Sequence, residues 1–373
     1  MKRITGLVNF HNEPCLSPLT DSRPLGSTSF LGRYAFCDFA LSNLCNSGIS
    51  QVGLLVKDHL RSILKHLGAM NSWVINTKIG TQRILYNEPA HADPRLNTDV
   101  NNLLFNDWQL YDSNSECFVI VPSHLICAID LRPFINEHIA SHRQVTLIAS
   151  TQRNLKTAWQ GCRVLQFDEK GELAGETINQ GQFAGPHVVS LDIVIVNRAT
   201  LIDLLRHYAP LYPTVDLLTL IIRSQQDHEY NLKVAYYDGF VLMVDSFAHY
   251  MEYCLSILDK KRADQIFLPN WPIYTLTHDT PPALYGMNSD VKNSYISNGA
   301  RVEGKVVNSI IARNVQIGKG AVVRNSIIFS TVKINEEAVI ENALVDKYSI
   351  IERGHTIKGK PKDPIYVAQV AIL

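Results

Sequence analysis

The chain has 373 residues, of which 46% are hydrophobic and 19% charged, and its 35 basic and 35 acidic side chains cancel. That length suits two domains, or one large domain with an appendage, and supplies a sizeable core. Neutrality excludes the electrostatic footprint of a nucleic-acid or anionic-membrane binder, so any site for a nucleotide or sugar phosphate must be local.

The first apolar run, ITGLV at 4–8, reads as a strand, and VNFHNEPCLSPLTDSRPLG at 8–26 as the loop that follows it. DFALSNLCNSGI at 38–49 leads into a second strand-like run, QVGLLV at 51–56. In HLRSILKHL, Leu60, Ile63, Leu64 and Leu67 share one helical face. CFVIV, QVTLIA, VVSLDIVIV and LKVAYY continue the strand series, and LRPFINEHI, ATLIDLLRHY and SFAHYMEYCLSIL fall between or after them as helices. This alternation predicts an α/β domain with a mostly parallel sheet covered by helices. CRVLQFDEKGEL at 162–173 reads as a hairpin with DEKG at its turn.

Several local signals have plain readings. His138 and His142 in EHIASH have helical i,i+4 spacing but no third zinc ligand, and are expected on a solvated helix face. KKR at 260–262 is a helix-end charge cluster. Seven cysteines, at 15, 37, 45, 117, 127, 162 and 254, form no CxxC and are odd in number, as expected of a reduced, cytoplasmic protein. The N-terminal apolar run is too short for a signal peptide, and no stretch approaches a membrane span.

The composition changes near residue 266. FLPNWPIYTLTHDTPPALYG has four prolines and no period, and reads as a linker that packs on its neighbours. Beyond residue 290, apolar residues recur at Ile296, Val302, Val307, Ile311, Ile317, Val323, Ile328, Ile334, Ile340, Val345, Ile350 and Ile357, with Gly or Asn often at the corners. Steps of mostly six fit a hexapeptide β-helix of roughly four coils at about 18 residues per coil. The expected division is therefore 1–265, a linker at 266–289, and a β-helix with a C-terminal tail at 290–373.

PLTDSRP at 18–24, DFALSN with NSGI at 38–49, PPALYG at 281–286 and the terminal repeats together resemble the ADP-glucose pyrophosphorylases (glucose-1-phosphate adenylyltransferases) along nearly the whole chain. Within that family the likeness runs to the GlgD-type subunit of bacterial glycogen synthesis, which is thought to assist the catalytic one. The resemblance implies a Rossmann-like nucleotidyltransferase domain followed by a left-handed parallel β-helix. The family's reaction moves the adenylyl group of ATP onto glucose 1-phosphate. It requires backbone N–H groups around the triphosphate, a cation, and carboxylates on a metal.

Against that pattern the sequence departs at each catalytic position. The family's glycine-rich loop corresponds to Leu7–Thr20, with the glycine pair near Asn9 and Phe10 and Cys15 where a phosphate-facing arginine is expected. Phe10 is expected to obstruct close phosphate approach, Glu13 to repel it, and Pro14 to remove a donor. Ser123 and Met243 stand where the family's metal-binding aspartates would be. Asp245 is a candidate displaced ligand, although capping the helix that begins at Ser246 is its plainer role. Glu169 and Lys170 resemble the family's sugar-phosphate element without its proline, and the hairpin turn explains them. Arg23, which matches a family lysine, with Asp38, Asn43 and Asp245, marks a conceivable residual pocket. Ser42, Asn46 and Gly48 also persist, and scaffolding explains the core motif without a ligand.

The expectation is a noncatalytic or weakly catalytic subunit with no catalytic residues, no metal and no cofactor of its own. The resemblance implies a catalytic partner chain carrying Mg²⁺, in a heterotetramer. A small-molecule effector is a further expected partner, and ATP, if used as one, would need basic residues from both the N-terminal and β-helix regions. Two alternatives stand: a self-sufficient sugar-phosphate nucleotidyltransferase using Asp245, Asp38 and Glu13, or a stand-alone sugar-phosphate sensor. Turnover by the purified chain would favour the first, and tight effector binding without a partner the second.

Overall fold

The computed structural model describes residues 3–73, 81–87, 93–112, 114–226 and 230–373. Its N-terminal sheet contains β1 (Ile4–Asn9), β2 (Gln51–Val56), β3 (Thr81–Tyr86), β4 (Cys117–Pro122), β5 (Val145–Gln152), β6 (Arg163–Phe167), β7 (Leu173–Ile178), β8 (His187–Asn197) and β9 (Leu232–Tyr236). The order is β7-β6-β8-β4-β1-β2-β3, with β5 also paired to β8 and carrying β9 on its other side. β4, β1, β2 and β3 are parallel to one another, as is β9 to β5. β8 runs antiparallel to β4 and β5, so the sheet is mixed about this long strand. Near-continuous apolar runs such as CFVIV are buried because helices cover both faces.

The main helices include α1 (Phe36–Asn46), α2 (Leu60–Leu67), α3 (Arg132–Ala140) and α4 (Phe247–Ser256). In α2, Ile63 and Leu67 are buried, whereas Leu64, expected on the same face, is 40% exposed. His138 is a clearer departure. It is buried beneath α3, its ring nitrogens 2.9 Å from Thr146 Oγ1 and 3.1 Å from Asn197 Oδ1, while His142 lies past the helix end and is exposed. A long helix-sheet contact recruits this histidine as a polar link where helical periodicity suggested solvent. The β6–β7 hairpin forms as expected. Asp168 Oδ1 accepts from the N–H groups of Lys170 and Glu172, and Gly171 takes a φ of 77°.

The C-terminal region is three parallel five-stranded sheets, one per face of a β-helix, starting at Leu284–Tyr285. Leu284 pairs with Arg301, Arg301 with Gln316, Gln316 with Lys333 and Lys333 with Ile350, so successive coils on this face take 17, 15, 17 and 17 residues. The inward column is Val302, Val306, Ile311, Ile317, Val323, Ile328, Ile334, Ile340, Val345, Ile351 and Ile357. Val306 and Ile351 replace the expected Val307 and Ile350: successive strand residues face opposite sides, and a six-step count slips by one where a coil has only 17 residues. Asparagines with positive φ at 293, 308, 314, 325 and 342 turn corners.

The two regions share a core. Phe30, Phe36 and Phe39 of the N-terminal region cluster with Ile310, Ile327, Phe329 and Leu344 of the β-helix. Gly32 has a φ of 66°, and a Cβ there would lie 2.9 Å from Ala312 Cα, so only glycine permits this approach. The linker runs over α1. Trp271 Nε1 donates to Asn43 Oδ1 at 2.8 Å, Tyr274 N–H to Ser42 Oγ at 2.9 Å, and Asn46 Nδ2 to the Pro272 carbonyl at 2.9 Å.

Candidate functional site

The loop after β1 is folded down by its own polar groups. Asn9 Oδ1 accepts from His11 N–H at 2.9 Å, and the Nδ2 groups of Asn9 and Asn12 donate to Asp99 Oδ2 at 2.7 and 3.2 Å. Phe10 and His11 are buried. Burial pushes the His11 pKa down to about 3, despite an Asn97 carbonyl beside the ring, so it is held neutral. Phe10 therefore packs into the core beneath the loop. Cys15 is exposed, the other six cysteines are buried, and among the described residues none of the seven forms a disulfide.

Glu13 turns toward the ends of the central strands. One of its carboxylate oxygens accepts from Gly26 N–H at 2.9 Å and from the Ser123 hydroxyl. Burial is the main cause that pushes this carboxyl up to about 7, opposed by those two hydrogen bonds. A Cβ on residue 26 would sit 2.7 Å from that oxygen and 2.8 Å from Ser123 Cβ, so the contact depends on glycine. Ser123 is fully buried directly after β4. Met243 lines a cavity of about 270 Å³ together with Glu13, His124 and Asp192. A hard divalent cation seeks carboxylate or carbonyl oxygens. Ser123 offers a hydroxyl already committed to Glu13, and Met243 a thioether, so these residues do not fit Mg²⁺.

The four residues expected around a residual pocket occupy separate places. Arg23 is buried in a bidentate pair with Asp346 of the β-helix, Nη1 to Oδ1 at 3.0 Å and Nη2 to Oδ2, and its guanidinium lies 5.8 Å from the Phe329 ring centroid. Tyr366 OH also donates to Asp346 Oδ2, at 2.6 Å. Asp38 accepts from Ala35 N–H at 2.9 Å to cap α1, and its other oxygen lies 2.6 Å from His66 Nε2. Asn43 donates to the Cys127 carbonyl at 3.0 Å and accepts from Ile129 N–H and Trp271. Asp245 does not cap α4; Ser246 does, accepting from His249 N–H. Asp245 instead accepts from Gln160 N–H at 2.8 Å and pairs with His249 Nδ1, which ties α4 to the loop around Trp159.

A site without a local sequence signal lies between the two regions. This cleft, about 220 Å³, includes Arg33, Lys65 and His66 from the N-terminal region, His278 from the linker, and Arg313 and Lys347 from the β-helix. Burial pushes Lys347 down to about 8, with Arg23 adding repulsion, and Arg313 is lowered by burial and by Arg33. The Thr280 hydroxyl, also on the cleft, is buried and has no hydrogen-bond partner among the described residues. The cleft thus gathers basic side chains that disfavour one another's charge beside an unsatisfied hydroxyl, the chemistry that an anion would offset. The positions are up to 314 residues apart (33 to 347), and no local cluster marks them.

Two family models match the chain: a nucleotidyl transferase over residues 15–196 and a GlmU-like C-terminal hexapeptide over 282–363. The glycogen biosynthesis protein GlgD of Geobacillus stearothermophilus is 31% identical over 316 residues, covering 83% of this chain and 79% of the relative. GlgD of Bacillus subtilis (strain 168) is 28% identical with the same two coverages. The glucose-1-phosphate adenylyltransferase of Thermosipho africanus (strain TCF52B) is 26% identical, covering 83% of this chain and 74% of that enzyme. Among the described residues no helix is long and apolar enough to cross a membrane. With nucleotidyltransferase and hexapeptide regions in one chain, and this identity over most of its length, the chain belongs to the GlgD-type branch of the ADP-glucose pyrophosphorylase family.

Proposed function

We propose that this chain is a noncatalytic or very weakly catalytic cytoplasmic subunit of ADP-glucose pyrophosphorylase, acting through a catalytic partner in glycogen synthesis. The observation that carries the reading is the Ser123–Glu13 hydrogen bond, which uses the expected metal position to hold the loop closed. Adenylyl transfer from ATP to glucose 1-phosphate, and the Mg²⁺ it needs, then belong to the partner subunit. This chain contributes a surface and a bias toward the partner's competent state.

The β-helix offers that surface. Among the described residues Leu284 and Tyr285 form an edge strand paired on one side only, and with Met287 they are 61%, 51% and fully exposed. An exposed apolar edge strand is a template for association. Pairing there with the catalytic chain, within a heterotetramer, is the arrangement we favour.

The basic cleft supports a second role, binding an anionic effector such as a sugar phosphate or nucleotide between the two regions. Because it joins Arg33 and Lys65 to Arg313 and Lys347, an anion there would tighten the interdomain seam. The deciding experiment is co-expression with a catalytic chain, followed by affinity purification and assay. Retention of both chains with altered kinetics supports the reading. Failure to co-purify together with unchanged kinetics sinks it.

A further inference from the structure

Among the described residues, one group of cysteine, histidine and carboxylate side chains brings its ligand atoms together. Cys37 Sγ, an Asp38 carboxylate oxygen and a His66 ring nitrogen all lie within 4.8 Å of one another. Cys37 and Asp38 sit in the first turn of α1 and His66 in the last turn of α2, so two helices supply the set. No local spacing reveals it, because His66 is 28 residues from Asp38.

The donors have the type and charge that zinc takes. Zn²⁺ accepts thiolate sulfur, imidazole nitrogen and carboxylate oxygen, whereas Mg²⁺ demands oxygen. A thiolate and a carboxylate cancel a divalent charge, so the loaded set is neutral and tolerates burial. Cys37 and Asp38 are fully buried, and the His66 side chain, 17% exposed on the wall of the basic cleft, leaves an ion a way in. Tetrahedral zinc with bonds of about 2.0–2.3 Å holds its ligands roughly 3.3–3.5 Å apart. Asp38 Oδ1 and His66 Nε2, at 2.6 Å, need part only slightly to admit it, and His66 stands at a helix end with room to swing. The carboxylate is already oriented: its Oδ2 accepts from Ala35 N–H at 2.9 Å, which leaves Oδ1 for the ion. Such outer hydrogen bonds fix metal ligands in place. The Trp73 ring lies beside that of His66, with centroids 6.5 Å apart.

We propose that Cys37, Asp38 and His66 bind Zn²⁺, with water in the fourth position, and so clamp the first turn of α1 to the end of α2. The ion bonds to Cys37 Sγ, Asp38 Oδ1 and His66 Nε2. The thiol proton goes to solvent, and His66 keeps a single ring proton, on Nδ1. Because the complete site exists only in the folded chain, zinc stabilises the fold by mass action. The site is independent of the partner-subunit reading and of anion binding in the basic cleft.

The test is titration of the full-length chain, stripped with a chelator and kept reduced, with Co²⁺ as a spectroscopic probe and then with Zn²⁺. One equivalent of Co²⁺ should give a thiolate-to-cobalt charge-transfer band in the near ultraviolet, and Zn²⁺ should bleach it. Cys37→Ser should lose the band, whereas Cys15→Ser, which removes the exposed thiol, should keep it. His66→Gln removes a ligand outright, so Zn²⁺ affinity should fall by at least about the tenfold that losing an outer-shell partner costs. Zn²⁺ should also raise the Tm of the parent chain. His66 is partly exposed, which keeps the test decisive if Cys37→Ser fails to fold. The proposal is overturned if the parent shows no charge-transfer band, if the band survives in folded Cys37→Ser, or if His66→Gln binds Zn²⁺ as the parent does; in each case Asp38 and His66 are an ion pair and nothing more.

Discussion

The Ser123 hydroxyl donates to the Glu13 carboxylate across 110 residues of sequence, joining the end of β4 to the loop after β1. Two substitutions that look like separate losses in the sequence are one contact in the fold. The acid on the loop and the residue at the position where the family resemblance expects a metal carboxylate bond to each other.

Returning aspartate to position 123 should therefore fail to restore catalysis. Ser123→Asp would set a second carboxylate against Glu13 in a poorly solvated place, where two like charges cannot both ionise cheaply. Thermal unfolding should show a lowered Tm, more so at pH 8 than at pH 5.5, where the pair shares a proton. Ser123→Asp with Met243→Asp should show little or no ADP-glucose formation. Robust turnover by that double variant would show that the loop matters less than its geometry implies.

Glu13 should also leave a mark on the pH dependence of stability. Its folded pKa of about 7 lies above the unfolded carboxylate value, so the folded chain binds the extra proton. Its favourable contribution is full below about pH 4.5 and is lost as pH rises to about 7. Glu13→Gln should remove that slope, so that the variant gains on the parent across this window in denaturant titrations. His11 and His124 act oppositely: with pKa values pushed down to about 3 and 4, they withdraw stability as pH falls below about 6.5.

The Arg23–Asp346 pair is buried on both sides, at 4% and 0% exposure, so removing one partner strands a charge. Arg23→Met or Asp346→Asn alone should cost about 3–5 kcal/mol, read from urea unfolding. The double variant Arg23→Met with Asp346→Leu should recover much of that loss. Limited proteolysis should show the seam between the loop and the β-helix opening in the single variants first.

Anion binding in the basic cleft should depend on both regions. With pyrophosphate as the probe, Lys65→Ala and Arg313→Ala should each weaken binding severalfold, and added salt should weaken it further. Because the Lys347 pKa is about 8 in the free chain, affinity should fall as pH rises above that value and the ammonium is lost. Calorimetry at pH 7 and pH 9.5 measures the difference. A flat profile, with both variants binding as the parent does, would remove the cleft as an effector site.

The fold was legible because its signals are local. Strand and helix runs alternate within a few residues, and the β-helix repeats its inward branched residue often enough for a one-residue slip at Val306 and Ile351 not to hide it. The Asp38–Asn46 motif marked the family, and in the fold its side chains hydrogen-bond within α1, to the strand end near Cys127 and to the linker. The site was legible only as a set of absences. That Glu13 reaches Ser123, that Arg23 reaches Asp346, or that Arg33, Lys65, Arg313 and Lys347 converge depends on distant residues meeting, which no local pattern encodes. His138 was misread for the same reason: its partner Asn197 lies 59 residues away.

The account rests most directly on steady-state ADP-glucose synthesis measured for the catalytic chain alone, this chain alone, and the two mixed, with Mg²⁺, ATP and glucose 1-phosphate. The prediction is negligible turnover by this chain alone and a changed kcat or KM for the mixture, with Met287→Glu reducing the effect. Robust turnover by this chain alone, or a mixture no different from the catalytic chain by itself, would contradict it.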